Sequence, residues 1–309
     1  KIGCRAGGLR EDGSRMSRYE NSAVSNAGDM VKRRLPGRLC RGHGIPGRKY
    51  GVIYRAVLME NLQYVANMAL GFFGYFVFIY IFIKLWEYMY RTPEELIAGY
   101  SKEQMIWYVM MTEMMWFGSN ASAVGRQVKT DIRGGNIAYL MNKPYHYTLY
   151  ILAKYTGEWS IRLPMYAGLA VVIGTVMVGA IPGFRLINVP AMALCILFGL
   201  TINAVFKICI SLLSFWIEDA TPFQWLYDKL ILVVGTIFPI EIFPRALQPF
   251  FKLTPIYTVC YGPAKLIVDF QPAKCVEILA AQAVYLAAGC GLMFFVYRKG
   301  VKKLYVNGG

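Results

Sequence analysis

Catalysis or metal binding needs ionisable or nucleophilic side chains held close together, and this sequence supplies few. Its two histidines, His43 and His146, exclude a multi-histidine metal site within the chain. Seven cysteines, at positions 4, 40, 195, 209, 260, 275 and 290, include no CxxC pair and suggest neither a zinc site nor a disulfide framework. The acidic pairs Glu94–Glu95 and Glu218–Asp219 fall at segment edges or in loops, where a solvated surface is a stronger reading than general acid–base work. No GxxxxGK[ST] phosphate loop occurs, so ATP is not bound here by that route. What remains is a pair of ionisable residues inside apolar runs, Glu113 and Lys207. A charge near the centre of a bilayer costs several kcal/mol unless it meets water or a partner. Either the two face the protein interior, lining a pathway or pairing with each other, or Lys207 snorkels and Glu113 reaches a hydrated boundary.

The elements that must position these residues follow from composition. Of 309 residues, 56% are hydrophobic and 17% charged, well below the roughly 25% charged of a soluble domain. Several apolar runs reach the ~20 residues that a helix needs to cross a bilayer. The sequence therefore specifies an all-α polytopic membrane protein. Six spans are expected, at 62–86, 104–124, 163–181, 189–216, 230–243 and 276–297. The fifth is short and leads into the proline-rich "FPIEIFPRALQPFFKLTPIYTVCYGP", read as short re-entrant outer helices and turns. The polar stretches "YHYTLYILAKYTGEWSIR" and "IEDATPFQWLYDK" are read as an approach to the third span and a loop after the fourth. Before the first span, Tyr50, Ile53, Tyr54, Val57 and Leu58 recur at helical spacing among charges; this fits an interfacial amphipathic helix or an early start of that span.

The net charge of +15 is unevenly spread, with 13 of the 33 Lys and Arg residues lying between Lys1 and Arg55. That is a basic arm plus loop charges, not a folded basic face, and it argues against nucleic-acid binding. Residues 1–46 lack an initiating Met and show no apolar period, which fits a disordered tail or an appended extension rather than a domain. With six spans both termini share one side. The basic arm, the loop after the second span (Arg126, Lys129, Arg133, Lys143, Lys154, Arg162) and the tail from Arg298 assign that side to the cytoplasm.

One segment of that loop, "DIRGGNIAYLMNKP" at 131–144, is built as a unit. Asp131 and Gly134–Gly135 are expected to make a turn, Asn136 to cap a short helix and Pro144 to stop it. Ile137, Leu140 and Met141 then share one small apolar face, which either folds back on its neighbours or docks into a groove of a separate protein.

The stretch "TDIRGGNIAYLMNKPYHYTLYILAKYTGE" resembles the segment after the second span of ABC type-2 membrane subunits, with their I-x-x-G-x-[ILV]-x-x-x-L-x-[KR]-P pattern. "SFWIEDATPFQWLYDKLILVVGTIFPIEIFPRALQPFFKLTPIYTVCYGP" resembles the later half of the same family. The resemblance implies a permease domain at 47–303 followed by a short tail at 304–309. It implies that Ile132, Gly134, Gly135, Leu140, Lys143 and Pro144 match a coupling helix, with Asp131, Arg133, Asn136, Ile137 and Met141 in the same coupling segment. It further implies a second permease copy or paralogue, membrane lipids around the pair, and ABC ATPase subunits beneath. No cofactor is expected in this chain; ATP and Mg belong to the partner ATPase. The charge-poor spans favour a lipid, drug-like compound or peptide as cargo. A secondary transporter is the alternative, although its matching broken helices are not seen in both halves. A membrane enzyme lacks its constellation.

Overall fold

The structure, a computed structural model, describes residues 46–63, 69–92, 95–217 and 219–307. The basic arm at 1–45, positions 64–68 of the first expected span, Glu94, Glu218 and residues 308–309 lie outside the described residues. Among the described residues the fold is all helical, with a single isolated bridge, Ile97 to Tyr100.

In chain order the helices are α1 (Pro46–Gln63), α2 (Ala69–Met89), α3 (Lys102–Ser119), α4 (Ala121–Arg133), α5 (Asn136–Met141) and α6 (Tyr147–Met177). They continue with α7 (Val189–Leu212), α8 (Thr221–Ile231), α9 (Gln248–Lys252), α10 (Gly262–Val268) and α11 (Pro272–Asn307). Wide π turns at Leu232–Ile237 and Tyr257–Tyr261 join the short pieces. The expected short helices after the fifth span are thus present as a chain of turns, α9 and α10.

Among the described residues four helical stretches are long and apolar enough to cross a membrane: Leu70–Met89, Tyr147–Met177, Leu186–Phe215 and Pro272–Lys303. The other two expected spans take a different form. α3 starts on a capping box, Ser101 with Gln104, and has buried residues on every side. Because α2, α6, α7 and α10 cover it, it carries Lys102, Glu103 and Glu113 without meeting lipid. The segment expected as the fifth, 230–243, holds only the last residues of α8, the π turn Leu232–Ile237 and a 3-10 turn at Ile240–Ile242.

Two stretches read as loop or approach are helical. α6 runs unbroken for 31 residues, about 46 Å at 1.5 Å per residue, which exceeds a hydrocarbon core of ~30 Å. Its first half, with Lys154, Glu158 and Arg162, extends beyond the apolar run. α8 begins where Asp219 Oδ1 accepts the Thr221 backbone N–H at 2.8 Å and Pro222 occupies the first turn, start signals masked by the polar composition around them. α1 lays Tyr50, Tyr54 and the buried Val57 inward, and Tyr54 donates to Ser160 Oγ at 3.2 Å on α6.

Candidate functional site

The first candidate is the elbow between α4 and α6. α4 is amphipathic, burying Val124, Val128 and Ile132 at four-residue spacing. It ends as the Gly134 N–H reaches Thr130 O at 2.8 Å. Gly135 follows at φ +74°, a conformation a side chain disfavours, and turns the chain into α5. Gly135 therefore occupies the cap position expected for Asn136, which is the first helical residue. The turn rotates α5 so that its apolar side meets the bundle.

Ile137 is fully buried in a cluster with Val128, Ile132, Tyr147 and Ile151, while Leu140 and Met141 pack partly buried against it. Burying an isoleucine side chain contributes about 1.5–3 kcal/mol, so α5 is clamped to α4 and α6. Asp131 adds a polar clamp, accepting the Tyr147 hydroxyl at 2.8 Å. Burial raises the Asp131 pKa, offset in part by that hydrogen bond and by Lys154. Lys143 donates to Tyr139 Oη at 2.6 Å and lies 4.1 Å from its ring centroid. The exposed surface consists of Arg133, Gly134, Gly135, Asn136, Ala138, Tyr139, Asn142 and Pro144. Of the two readings of the apolar face, the fold-back is the one realised for Ile137, and the opposite face points outward.

The second candidate surrounds Lys207. Lys207 and Glu113 are both buried, but they do not pair with each other. Lys207 sits on α7, 18 residues or about 27 Å along the helix from Val189. Its Nζ pairs with Asp228 at 2.5 Å, donates to Ser122 Oγ at 3.0 Å and stands 5.5 Å from the Trp116 ring centroid. One turn on, the Ser211 hydroxyl is shared between Lys207 O at 2.8 Å and Gly125 O at 3.2 Å and accepts from Gln224 Nε2. Gly125 leaves the space that the Gln224 amide fills; a Cβ there would strike it. Further toward the elbow, Lys129 pairs with Asp219 at 2.7 Å and donates to Thr221 Oγ1 at 2.5 Å, holding the Asp219 carboxyl well below the usual carboxylate range. Ser122, Gly125 and Lys129 of α4 thus meet Asp228, Gln224 and Thr221 of α8 in antiparallel order, with Lys207 and Ser211 of α7 between them. This polar seam ties three helices together.

Glu113 lies on α3 in the core, and its Oε1 has no hydrogen-bond partner among the described residues. Sequence reasoning missed Asp228, Gln224 and Ser122. The available signals were the four-residue spacings Lys207–Ser211 and Gln224–Asp228, which each put two polar groups on one helix face.

Residues 66–308 match the protein family described as "ABC-2 family transporter protein". No curated protein matches the chain.

Proposed function

This chain belongs to the ABC-2 transporter family as a membrane component, and on that premise we propose that it is the permease subunit of an ATP-driven exporter. It works as a pair, with a second copy or a paralogue across the membrane, and ABC ATPase subunits holding ATP and Mg dock beneath it. Both termini and the elbow face the cytoplasm, and the cargo is hydrophobic or amphipathic. ATP-driven closure of the ATPases pushes on the elbow, and the bundle repacks around the cargo.

The observation that carries this reading is the construction of the elbow. A lever needs one face fixed to what it moves and another face open to what pushes it. Ile137 and the Asp131–Tyr147 hydrogen bond fix α5 to α4 and α6. Arg133, Asn136, Tyr139 and Asn142 form the open face. Motion of α4 passes through the polar seam to α7 and α8, because each level of the seam joins α4 to one of them. The elbow transmits force and performs no chemistry.

Co-purification tests this. An ATPase subunit is expected to co-purify with the chain, and Arg133→Glu combined with Tyr139→Asp should reduce the amount retained at least tenfold while leaving thermal unfolding unchanged. A complex that survives the double substitution with full ATPase activity would remove the coupling role from the elbow.

A further inference from the structure

Where α3 breaks into α4 the packing leaves a cavity of about 260 Å³. Its walls come from α2 (Gly71), from the end of α3 and start of α4 (Trp116 to Ser122), and from α6 (Arg162 and Tyr166). The break is local in origin, because Asn120 stands in the left-handed conformation at φ +46° between the two helices. Ser119, Asn120 and Ser122 line the cavity there, but the Ser119 hydroxyl donates to Trp116 O and the Ser122 hydroxyl is held between Lys207 and Asp228, which leaves Asn120 as the neutral polar group of this wall.

The charge balance inside is lopsided. Two cations border the space, but Lys207, behind the Ser122 and Trp116 wall, is matched by Asp228. Arg162 has the acidic Glu158, one turn earlier on the same helix, in its electrostatic reach but makes no contact ion pair among the described residues. Its Nε is buried with no hydrogen-bond partner among those residues. Arg162 is half-buried, and its planar fork of N–H donors matches an anionic oxygen group better than any neutral partner.

The rest of the wall is apolar and rigid. Tyr166 packs against Phe72 at 5.1 Å, Tyr75 at 5.6 Å and Phe117 at 5.9 Å between ring centroids. Gly71 makes room for the Tyr166 hydroxyl, which a Cβ would strike.

We propose that this cavity binds the anionic head group of an amphiphile, with Arg162 as the charge anchor, Asn120 as a neutral hydrogen-bonding partner, and Phe117 and Tyr166 against the first carbons of its tail. Its role as a cargo site rests on the permease reading; its occupancy by an anionic amphiphile does not, and binding is measured without any ATPase subunit. Loss of binding and loss of ATP coupling are therefore separate results.

The test uses the full chain purified in a neutral detergent and titrated with dihexanoyl phosphatidic acid, dihexanoyl phosphatidylcholine and inorganic phosphate. Phosphatidic acid is expected to bind at least tenfold more tightly than either control. Arg162→Gln should weaken it at least tenfold and Arg162→Lys by less, with both variants eluting as monodisperse protein. Asn120→Ala, which keeps the guanidinium, should give an intermediate loss and serves if Arg162→Gln does not fold. Equal affinity for phosphatidylcholine, or phosphatidic acid affinity unchanged in Arg162→Gln or, if that variant is unfolded, in Asn120→Ala, would overturn the proposal. Phosphate binding as tight as phosphatidic acid would overturn the amphiphile and leave a free-anion site.

Discussion

The elbow at 131–144 and the seam around Lys207 are both polar interruptions in an apolar chain, and they solve that problem in opposite ways. In the elbow the apolar residues turn inward and the polar face is left to the outside: Ile137 is buried while Arg133, Asn136 and Asn142 are exposed. In the seam the polar residues turn inward. α8 exposes Phe223, Trp225, Leu226 and Leu230, and directs Gln224 and Asp228 at α4 and α7. The first pattern suits a surface that meets another soluble protein, and the second suits a helix whose outer face meets lipid. Substitutions in the seam should therefore cost stability, and substitutions on the outer face of the elbow should cost function alone.

The largest effect is expected from Asp228→Ala, which leaves the Lys207 ammonium buried without its carboxylate. A loss of about 3–5 kcal/mol, read as a fall in thermal unfolding temperature in detergent, is the expected cost of an uncompensated buried charge. Replacing both partners, Lys207→Met with Asp228→Leu, should restore most of it, because a buried pair is often no better than apolar groups of similar size. If the double variant were as unstable as the single one, the pair would hold the helices in some way beyond charge compensation.

Ile137→Ala should cost about 2–5 kcal/mol, since it empties a fully enclosed position. A cost below 1 kcal/mol would mean that α5 is not clamped. Asp131→Ala strands the Tyr147 hydroxyl and should cost about 1–3 kcal/mol, while Asp131→Asn, which still accepts that hydrogen bond, should cost little. The pH dependence separates them further. Burial raises the folded-state pKa of Asp131, so the stability it confers is present below its unfolded pKa and is lost as pH rises through the folded value. Asp131→Asn should therefore flatten the acid limb of a stability–pH curve and match the parent chain or exceed it at neutral pH. The smallest effect is expected from Glu113→Gln. Glu113 lacks a partner for Oε1, so unfolding temperature should stay the same or rise, in contrast with Asp228→Ala.

Much of this architecture was legible in the sequence, and the misses share a cause. The apolar runs marked α2, α7 and α11 because lipid-facing helices are apolar all round. α8 was hidden because its apolar side faces outward; a reading that puts polar residues at the surface turns such a helix into a loop. The first half of α6 was hidden for a similar reason, since Lys154, Glu158 and Arg162 interrupt the hydropathy of a helix that continues past the apolar core. At the elbow, the glycine pair and the proline announced a short helix, but its rotation depends on Gly135 adopting a positive φ, and that decides which face is buried. Lys207 was recognisable as a buried group, whereas its partner Asp228 lay in a segment read as loop.

The central claim is that the exposed side of the elbow receives an ATPase subunit. Its most direct test is site-specific photocrosslinking in native membranes, with p-benzoylphenylalanine replacing Tyr139 on that side or Phe250 on α9, both exposed positions. Crosslinking of an ABC ATPase subunit from position 139 and not from 250 is the predicted result. Capture from 250 alone, or none from 139 in a complex that hydrolyses ATP, would contradict it.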